Sequence, residues 1–214
     1  MGRRGAVRHP LFARLYARVS DEMDALGAFE HRRRLVDGLS GRVVEVGAGA
    51  GANFAHYPPT VTQLVAVEPE PYLRSRALDA ATRAAVPVEV VDGVADALPL
   101  PDASVDAAVV SLVLCSVRDQ AAALGEVRRV LRPGGELRFY EHVAAEEPGT
   151  MRRVQRVVDA TLWPALAGGC HTGRDTVAAI RAAGFDVQSL DRFRFPPGRP
   201  SPAAPHALGT ATLP

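Results

Sequence analysis

Apolar positions along the chain switch between a helical and an extended period, which predicts alternating helices and strands. Residues 8–38 repeat apolar side chains at steps of three and four and predict a helix. Short apolar runs predict strands, and the run at 105–114 is typical of a central parallel strand. The alternation predicts a doubly wound α/β sheet. The predicted strands are 42–46, 63–68, 86–91, 105–114 and 136–142, and the helices between them are 72–85 and 120–131.

The last third of the sequence departs from this strict alternation. Residues 150–166 predict a helix with one apolar face, and residues 176–183 predict another. Strands at 187–195 and 206–213 flank a Pro-rich segment. With no repeat and no linker, we expect a single domain over residues 1–214. We divide it into an N-terminal helical cap (1–40), a cofactor-binding core (41–145) and a lid helix with C-terminal strands (146–214).

Composition and charge exclude several chemistries. The chain has 214 residues, 25 basic and 24 acidic, and every basic residue is Arg. The absence of Lys excludes a Walker A phosphate loop and Schiff-base catalysis. A net charge of +1 argues against nucleic-acid binding. We therefore expect a small-molecule partner.

The sequence also bears on location. Cys115 and Cys170 form no CxxC pair and favour reduced intracellular thiols. No apolar segment follows the charged first residues, so no signal peptide is predicted, and no apolar run of 18 residues predicts a membrane span. We expect a cytoplasmic protein with no membrane span, and the sequence leaves the oligomeric state open.

A glycine-rich turn follows the first predicted strand and is expected to open the next helix. Gly47, Gly49 and Gly51 let a ligand approach the backbone closely. The spacing fits a nucleoside–amino-acid cofactor, and with Ala52 it also fits the dinucleotide pattern. A tight turn without a ligand is the third interpretation.

Two acidic residues narrow the choice of cofactor. Glu68 lies 21 residues after Gly47, at the end of the second predicted strand, where an acid accepts hydrogen bonds from ribose hydroxyls. Glu45 ends the first strand, and we expect it to face the cofactor. A carboxylate there would repel a pyrophosphate and attract a cationic methionine moiety. The sequence therefore favours S-adenosylmethionine (SAM).

Several motifs, in this order, resemble those of class I SAM-dependent methyltransferases, most closely the ubiquinone/menaquinone-type "methyltransferase 11" group. The resemblance implies a Rossmann-like seven-stranded sheet with helices on both faces and an antiparallel last strand. It also implies a helical lid formed by the N-terminus and residues 150–166. The segments that carry it are residues 45–51, Glu68, 96–102, 104–106 and 129–135.

A narrower resemblance is to the methyltransferase-like 7 branch, whose members methylate alkyl thiols. It implies a thiol as the acceptor. The sequence shows no N-terminal apolar anchor like that of this branch, which agrees with the expectation of no membrane span. The segments concerned are 51–54, 57–59, 112–117, 141–145 and 169–170.

The resemblance also assigns residue roles around SAM and its product S-adenosylhomocysteine. The glycines would hold the methionine and ribose portion, Glu68 the ribose hydroxyls, and Pro69, Ala95 and Asp96 the adenine. Ser111 and Leu112 would lie beside the sulfonium. Asn53 fits equally a helix cap and a ligand contact. The predicted cofactor-binding residues are Glu45, Gly47, Ala48, Gly49, Gly51, Asn53, Glu68, Pro69, Ala95, Asp96, Ser111 and Leu112.

Residues for the acceptor and for catalysis are less well marked. His142 ends the fifth strand and is the candidate general base, or it satisfies a loop carbonyl. Tyr16 and Trp163 are candidates for the acceptor pocket, with core packing as the alternative for Tyr16 and lid anchoring for Trp163. Cys115 is interpreted as a small core residue. The pair Cys170 and His171 cannot form a tetrahedral site alone, so no metal site is predicted.

These observations favour a SAM-dependent methyltransferase acting on a small-molecule acceptor, with a thiol as the leading choice. C- or O-methylation of a quinone, phenol or natural-product scaffold is the alternative. The alternatives from other classes are an NAD(P)-linked oxidoreductase and a SAM-binding module without catalysis.

Overall fold

Seven strands form one sheet in the order β3-β2-β1-β4-β5-β7-β6. The computed structural model describes residues 13–14, 19–20, 22–198 and 201–214. Strands β1 to β5 are parallel, whereas β7 runs antiparallel to both β5 and β6. The predicted seven-stranded sheet with an antiparallel last strand is confirmed. The strands are β1 (Gly41–Val46), β2 (Val61–Val67), β3 (Val88–Val91), β4 (Val105–Ser111), β5 (Leu131–His142), β6 (Asp186–Arg194) and β7 (Pro205–Thr212).

Successive side chains of a strand point to opposite faces of the sheet, so this sheet has two apolar faces. Helices cover both of them. In β1, Val44 and Val46 belong to one buried cluster and Val43 to the other. Helices α1 and α2 contribute to the Val43 cluster, and α3 and α6 to the opposite one. The helices are α1 (Phe29–Val36), α2 (Pro71–Ala81), α3 (Gln120–Val130), α4 (Thr150–Asp159), α5 (Trp163–Leu166) and α6 (Thr176–Ala182).

Two predicted long helices are interrupted. The helix expected over 8–38, part of which lies outside the described residues, is kinked at Gly27. This glycine has φ of 111° and lies inside a π-helical segment, Asp24–Ala28, that precedes α1. Only glycine adopts this conformation at low cost. The helix expected over 150–166 is split into α4 and α5, because Pro164 fits only the first turn of a helix.

The expectation that the glycine turn opens a helix is wrong. Only one 3₁₀ turn, Phe54–His56, follows it before the chain enters β2. The reason lies in Pro58 and Pro59, since the residue before a proline is driven out of the helical region. Tyr57, in that position, is extended with ψ of 130°.

Helix α4 is held by one buried polar residue and not by its apolar face. Gln155 is fully buried, while Val154 and Val157 of α4 are 40 and 64% exposed. Leu162 and Leu166, which lie beyond the end of α4, are 74 and 72% exposed. The Gln155 side chain donates to the carbonyl oxygens of three loops and accepts from the Ala145 N–H at 2.8 Å. The predicted apolar face therefore remains at the surface. Within the described ranges, every helix is too short or too polar to cross a bilayer.

Candidate active site

The glycine turn and Glu68 meet at the carboxyl edge of β1 and β2. The Gly47 and Ala48 N–H groups donate to the Val67 carbonyl at 2.8 and 3.1 Å. Gly47, Gly49 and Gly51 all have positive φ, which an L side chain rarely adopts. A Cβ on Gly47 would lie 2.6 Å from Val113 Cγ2. The turn is thus held in one conformation against the strand edge.

Glu68 is the buried hydrogen-bond acceptor at this edge. Its Oε2 accepts from the Gly49 N–H and its Oε1 from the Glu70 N–H, both at 2.8 Å. Burial raises the pKa of Glu68, and these two backbone bonds oppose the rise. Each carboxylate oxygen has a second acceptor position. Glu68 can therefore receive two more donors, as a ribose diol provides.

Glu45 has different surroundings from those inferred from the sequence. Its side chain lies with Phe54 and Tyr57 on the α1–α2 face and is almost completely buried. Oε1 accepts from Asn53 Nδ2 at 2.7 Å and Oε2 from the Tyr57 hydroxyl at 2.8 Å. Burial raises the pKa of Glu45 to about 7, although both hydrogen bonds act to lower it. The carboxyl group braces the segment after the glycine turn, which corrects the expected orientation toward the cofactor.

Asn53 connects this carboxyl group to helix α1. Its Oδ1 accepts from the Arg32 guanidinium at 3.2 Å, and Arg32 also pairs with Asp24 at 2.8 Å. Asn53 precedes the 3₁₀ turn but makes no side-chain cap bond, so the capping interpretation is wrong. Arg32 and Tyr57 are members of the network that the sequence analysis missed, because their partners lie 8 to 21 residues away.

The end of β4 adds two predicted residues to the same edge. Ser111 Oγ is buried and has no hydrogen-bond partner. Leu112 follows with φ of 59°, a left-handed conformation unusual for leucine and found preferentially at functional sites. Since Val46 pairs with Val110, these residues lie next to the glycine turn. An unpaired buried hydroxyl and a strained residue mark this point as a ligand-contacting edge.

The other predicted cofactor residues lie around Glu68. Pro69 follows Glu68 directly in the sequence. Ala48 is part of the glycine turn and is buried. Ala95 and Asp96 are in the loop after β3. This loop passes close to the end of β2: a Cβ on Gly93 would lie 2.9 Å from Val67 Cγ1. Tyr16 lies outside the described residues.

A cavity, which we call the acceptor cavity, opens beside Leu112. Its volume is about 270 Å³. His142 and Trp163, both predicted for the acceptor site, are part of its wall. Ser20 and Met23, before α1, and Trp163 of α5 also contribute. The lining includes Met23, Leu112, Cys115, Tyr140, His142, Trp163, Cys170, Phe195, Pro196 and His206.

One wall of this cavity is made of stacked rings. His206 lies 5.2 Å from Tyr140 and 5.7 Å from Phe193, measured between ring centroids, and its Nδ1 donates to the Ala204 carbonyl. Desolvation lowers the pKa of His206 to about 3. His206 is therefore neutral near neutral pH, and this wall carries no charge.

At the floor of the acceptor cavity, His142 meets both cysteines of the chain. Its Nδ1 lies 3.6 Å from Cys115 Sγ and 3.5 Å from Cys170 Sγ, and the two sulfur atoms are 3.8 Å apart. The contact with the Cys115 sulfur and the nearby His142 lower the pKa of Cys170, whereas the same contact and burial raise the pKa of Cys115. We call these three residues the Cys–His–Cys cluster.

The structure changes the interpretation of both cysteines. Cys115 is buried, as expected for a small core residue, but β4 ends at Ser111 and Cys115 lies in the turn that follows it. Glu141, fully buried, accepts the N–H groups of residues 113–115 at 2.9 to 3.1 Å and so ends the strand. Cys170 joins Cys115 and not its neighbour His171, whose Nδ1 bonds to the Gly169 carbonyl. Cys115 and Cys170 lie 27 and 28 residues from His142 in the sequence, so no local pattern connects the three residues.

The fold and this edge define a class I SAM-dependent methyltransferase. Residues 44–139 match the family model described as "Methyltransferase domain". A SAM-dependent methyltransferase from Thermotoga maritima has the same fold, with a TM-score of 0.69 over 95% of this chain and 98% of that one at 21% identity. The methyl donor of this class is SAM.

The particular family follows from more similar relatives. Human "Thiol S-methyltransferase TMT1B" is 36% identical over 179 residues, which cover 81% of this chain and 72% of the relative. Human "Thiol S-methyltransferase TMT1A" is 38% identical over 164 residues, or 74% of this chain and 66% of the relative. The chain belongs to the methyltransferase family that contains these two proteins.

Proposed function

We propose that this protein transfers the methyl group of SAM to small apolar thiols. The names of the TMT1 relatives support the acceptor class. The observation that carries the proposal is the acceptor cavity, which lies between Leu112, the residue after β4, and the Cys–His–Cys cluster. A cavity of about 270 Å³ has room for a small molecule.

The residues at the carboxyl edge fit SAM. Glu68 has free acceptor positions for the ribose hydroxyls, and the unpaired Ser111 hydroxyl is available for a ligand atom. The glycine turn lets the methionine portion approach the backbone. SAM supplies a methyl group already activated by its sulfonium. The protein must then bind and orient both reactants and exclude water.

A thiol suits the chemistry of this cavity better than an alcohol does. A thiol with a pKa of about 8.5 is partly ionised at neutral pH and intrinsically nucleophilic, so it does not depend on a strong base. An alcohol would depend on one. His206 is unsuited because its low pKa makes it a weak base, so an alcohol would have to use His142, the remaining histidine of the lining. The apolar and aromatic lining favours an acceptor with an apolar body.

A matched acceptor series tests this proposal. Purified protein is incubated with SAM labelled in the methyl group and with either an alkyl thiol or the alcohol of the same carbon skeleton. A phenol and a reduced quinone complete the series. We expect labelled thioether from the thiol and background label from the alcohol. Glu68→Gln serves as the cofactor-site variant and should lower activity at subsaturating SAM.

The result also decides between the acceptor classes. A higher kcat/KM for the phenol or the quinone than for every thiol would refute the thiol proposal in favour of O- or C-methylation. A protein that binds S-adenosylhomocysteine but labels no acceptor across the series would also refute it.

A further inference from the structure

The Cys–His–Cys cluster brings three metal-ligand atoms together at the floor of the acceptor cavity. Cys115 Sγ, Cys170 Sγ and His142 Nδ1 form a triangle with sides of 3.8, 3.6 and 3.5 Å. Both cysteines are buried and His142 is half-buried, and all three residues line the cavity. These residues are 27 to 55 positions apart in the sequence, so no motif there indicates a metal site.

The triangle has the dimensions of one face of a tetrahedral zinc site. With Zn–S bonds of about 2.3 Å and a Zn–N bond of about 2.0–2.1 Å at tetrahedral angles, two sulfur ligands lie about 3.8 Å apart. In the same geometry a sulfur and a nitrogen ligand lie about 3.6 Å apart. All three observed separations agree with these values to about 0.1 Å.

Hydrogen bonding alone accounts less well for this arrangement. A neutral His142 has on Nδ1 either one lone pair or one N–H, yet two sulfur atoms lie at nearly equal distances from this nitrogen. One hydrogen bond can therefore satisfy only one of the two contacts. A cation at the centre binds all three atoms, and two thiolates with a neutral imidazole balance the charge of a divalent ion.

The backbone around the cluster holds the ligands in position. The Glu141 carboxylate accepts the Cys115 N–H at 3.1 Å, together with the N–H groups of residues 113 and 114. The His171 N–H donates to the Cys115 carbonyl at 2.8 Å and so ties the two cysteine loops together. Gly169 has φ of 92°, and a Cβ there would lie 2.6 Å from the Ser116 carbonyl oxygen. Such outer contacts orient metal ligands.

We propose that Cys115, His142 and Cys170 bind Zn²⁺, and that the fourth position of the ion opens into the acceptor cavity. Two cysteines, one histidine and an open position are a ligand set of catalytic zinc sites. An acceptor thiol that displaces the zinc-bound water binds as the thiolate, and its proton leaves with the solvent. His142 then acts as a metal ligand and not as a general base. The thiol step rests on the proposed function, whereas the zinc site does not.

Cobalt provides a spectroscopic test of the zinc site that does not depend on activity. Reduced, metal-free protein is titrated with Co²⁺, without SAM or acceptor. We expect one equivalent to give thiolate-to-cobalt charge transfer in the near ultraviolet and the intense visible bands of tetrahedral Co²⁺. One equivalent of Zn²⁺ should abolish both. Because the chain has only two cysteines, all the charge transfer comes from Cys115 and Cys170.

Single variants assign the ligands. Cys115→Ser and Cys170→Ser should each remove about half of the charge-transfer intensity, and His142→Ala should weaken Co²⁺ binding by more than about 10-fold. His56→Ala, in the 3₁₀ turn after the glycine loop, is the control and should leave the spectrum unchanged. Circular dichroism identifies any variant that fails to fold. Where a variant fails, the cobalt spectrum of the unaltered protein is the test of the zinc site.

The outcomes separate the zinc site from the thiol proposal. Addition of an alkyl thiol to the cobalt protein should increase the charge transfer as a third thiolate binds. A cobalt spectrum without methylation of any thiol would refute the proposed function and leave the site intact. Full thiol methylation by protein that binds no Co²⁺ or Zn²⁺ would overturn the site, as would a spectrum unaffected by both cysteine variants.

Discussion

Glu45→Gln tests how burial controls the ionisation of the network beneath the glycine turn. Glu45 is 1% exposed, and its pKa is about 7 in the folded protein against an ordinary value of 4.5. Between these two values the folded protein binds a proton that the unfolded chain has released. The contribution of Glu45 to the free energy of unfolding is therefore fully present below pH 4.5, and it is lost as the pH rises from 4.5 through 7.

The size of the effect follows from linkage. At about 1.36 kcal/mol per pH unit, the two pKa values predict that Glu45 lowers the free energy of unfolding by about 2.5 kcal/mol between pH 5 and pH 8, with about 2 kcal/mol of this fall below pH 7. Glutamine keeps the shape and an oxygen that can accept from Asn53, but it does not titrate in this range. The variant should lack this part of the pH dependence.

The assay is urea unfolding followed by far-ultraviolet circular dichroism at pH 5, 6, 7 and 8. The difference in unfolding free energy between Glu45→Gln and the unaltered protein should change by about 2.5 kcal/mol over this range, in favour of the variant at high pH. Tyr57→Phe removes a hydrogen bond that lowers the pKa of Glu45, so it should move the fall to higher pH. Parallel stability curves for Glu45→Gln and the unaltered protein would refute the reasoning.

Three further variants test the cofactor edge and the attachment of helix α4. Gly47→Ala should abolish measurable S-adenosylhomocysteine binding by calorimetry, because its Cβ would lie 2.6 Å from Val113 Cγ2 at a φ of 67°. Gly134→Ala, with φ of 75° and open space around it, carries the backbone strain alone and should bind normally. Glu68→Gln should weaken S-adenosylhomocysteine binding by about 10-fold or more, since hydrogen bonds to charged groups contribute about 1.5–3 kcal/mol. Equal affinities of the variant and the unaltered protein would show that Glu68 is not part of the site. Gln155→Met leaves buried carbonyl groups without donors and should lower the free energy of unfolding in urea by about 2–4 kcal/mol. The exposed control Gln188→Met should change it by less than about 0.5 kcal/mol, and an equal loss in both would contradict the role of Gln155.

Much of the cofactor edge was predictable from the sequence because its signals are local. The order of strands and helices follows from periodicity, and the glycine turn and Glu68 each follow directly from the end of a strand. Parallel strands bring their carboxyl ends to one edge, so these residues meet without any detailed knowledge of packing. Ser111 and Leu112 were placed at the same edge by resemblance, and β4 ends there.

Features that depend on contacts between distant residues were not predictable in this way. The sequence placed Glu45 toward the cofactor, but Asn53 and Tyr57 occupy its oxygens, because the chain after the glycine turn folds back as a single 3₁₀ turn. The helix break at Gly27 likewise depends on φ, which composition does not specify.

The Cys–His–Cys cluster shows the same division most clearly. Local patterns were enough to predict a methyltransferase sheet and a strand that ends at His142. The convergence of Cys115 and Cys170 on His142 depends on long-range contacts. Two loops, held by Glu141 and by the His171–Cys115 backbone bond, bring these residues to the end of β5, and the residues share no common periodicity.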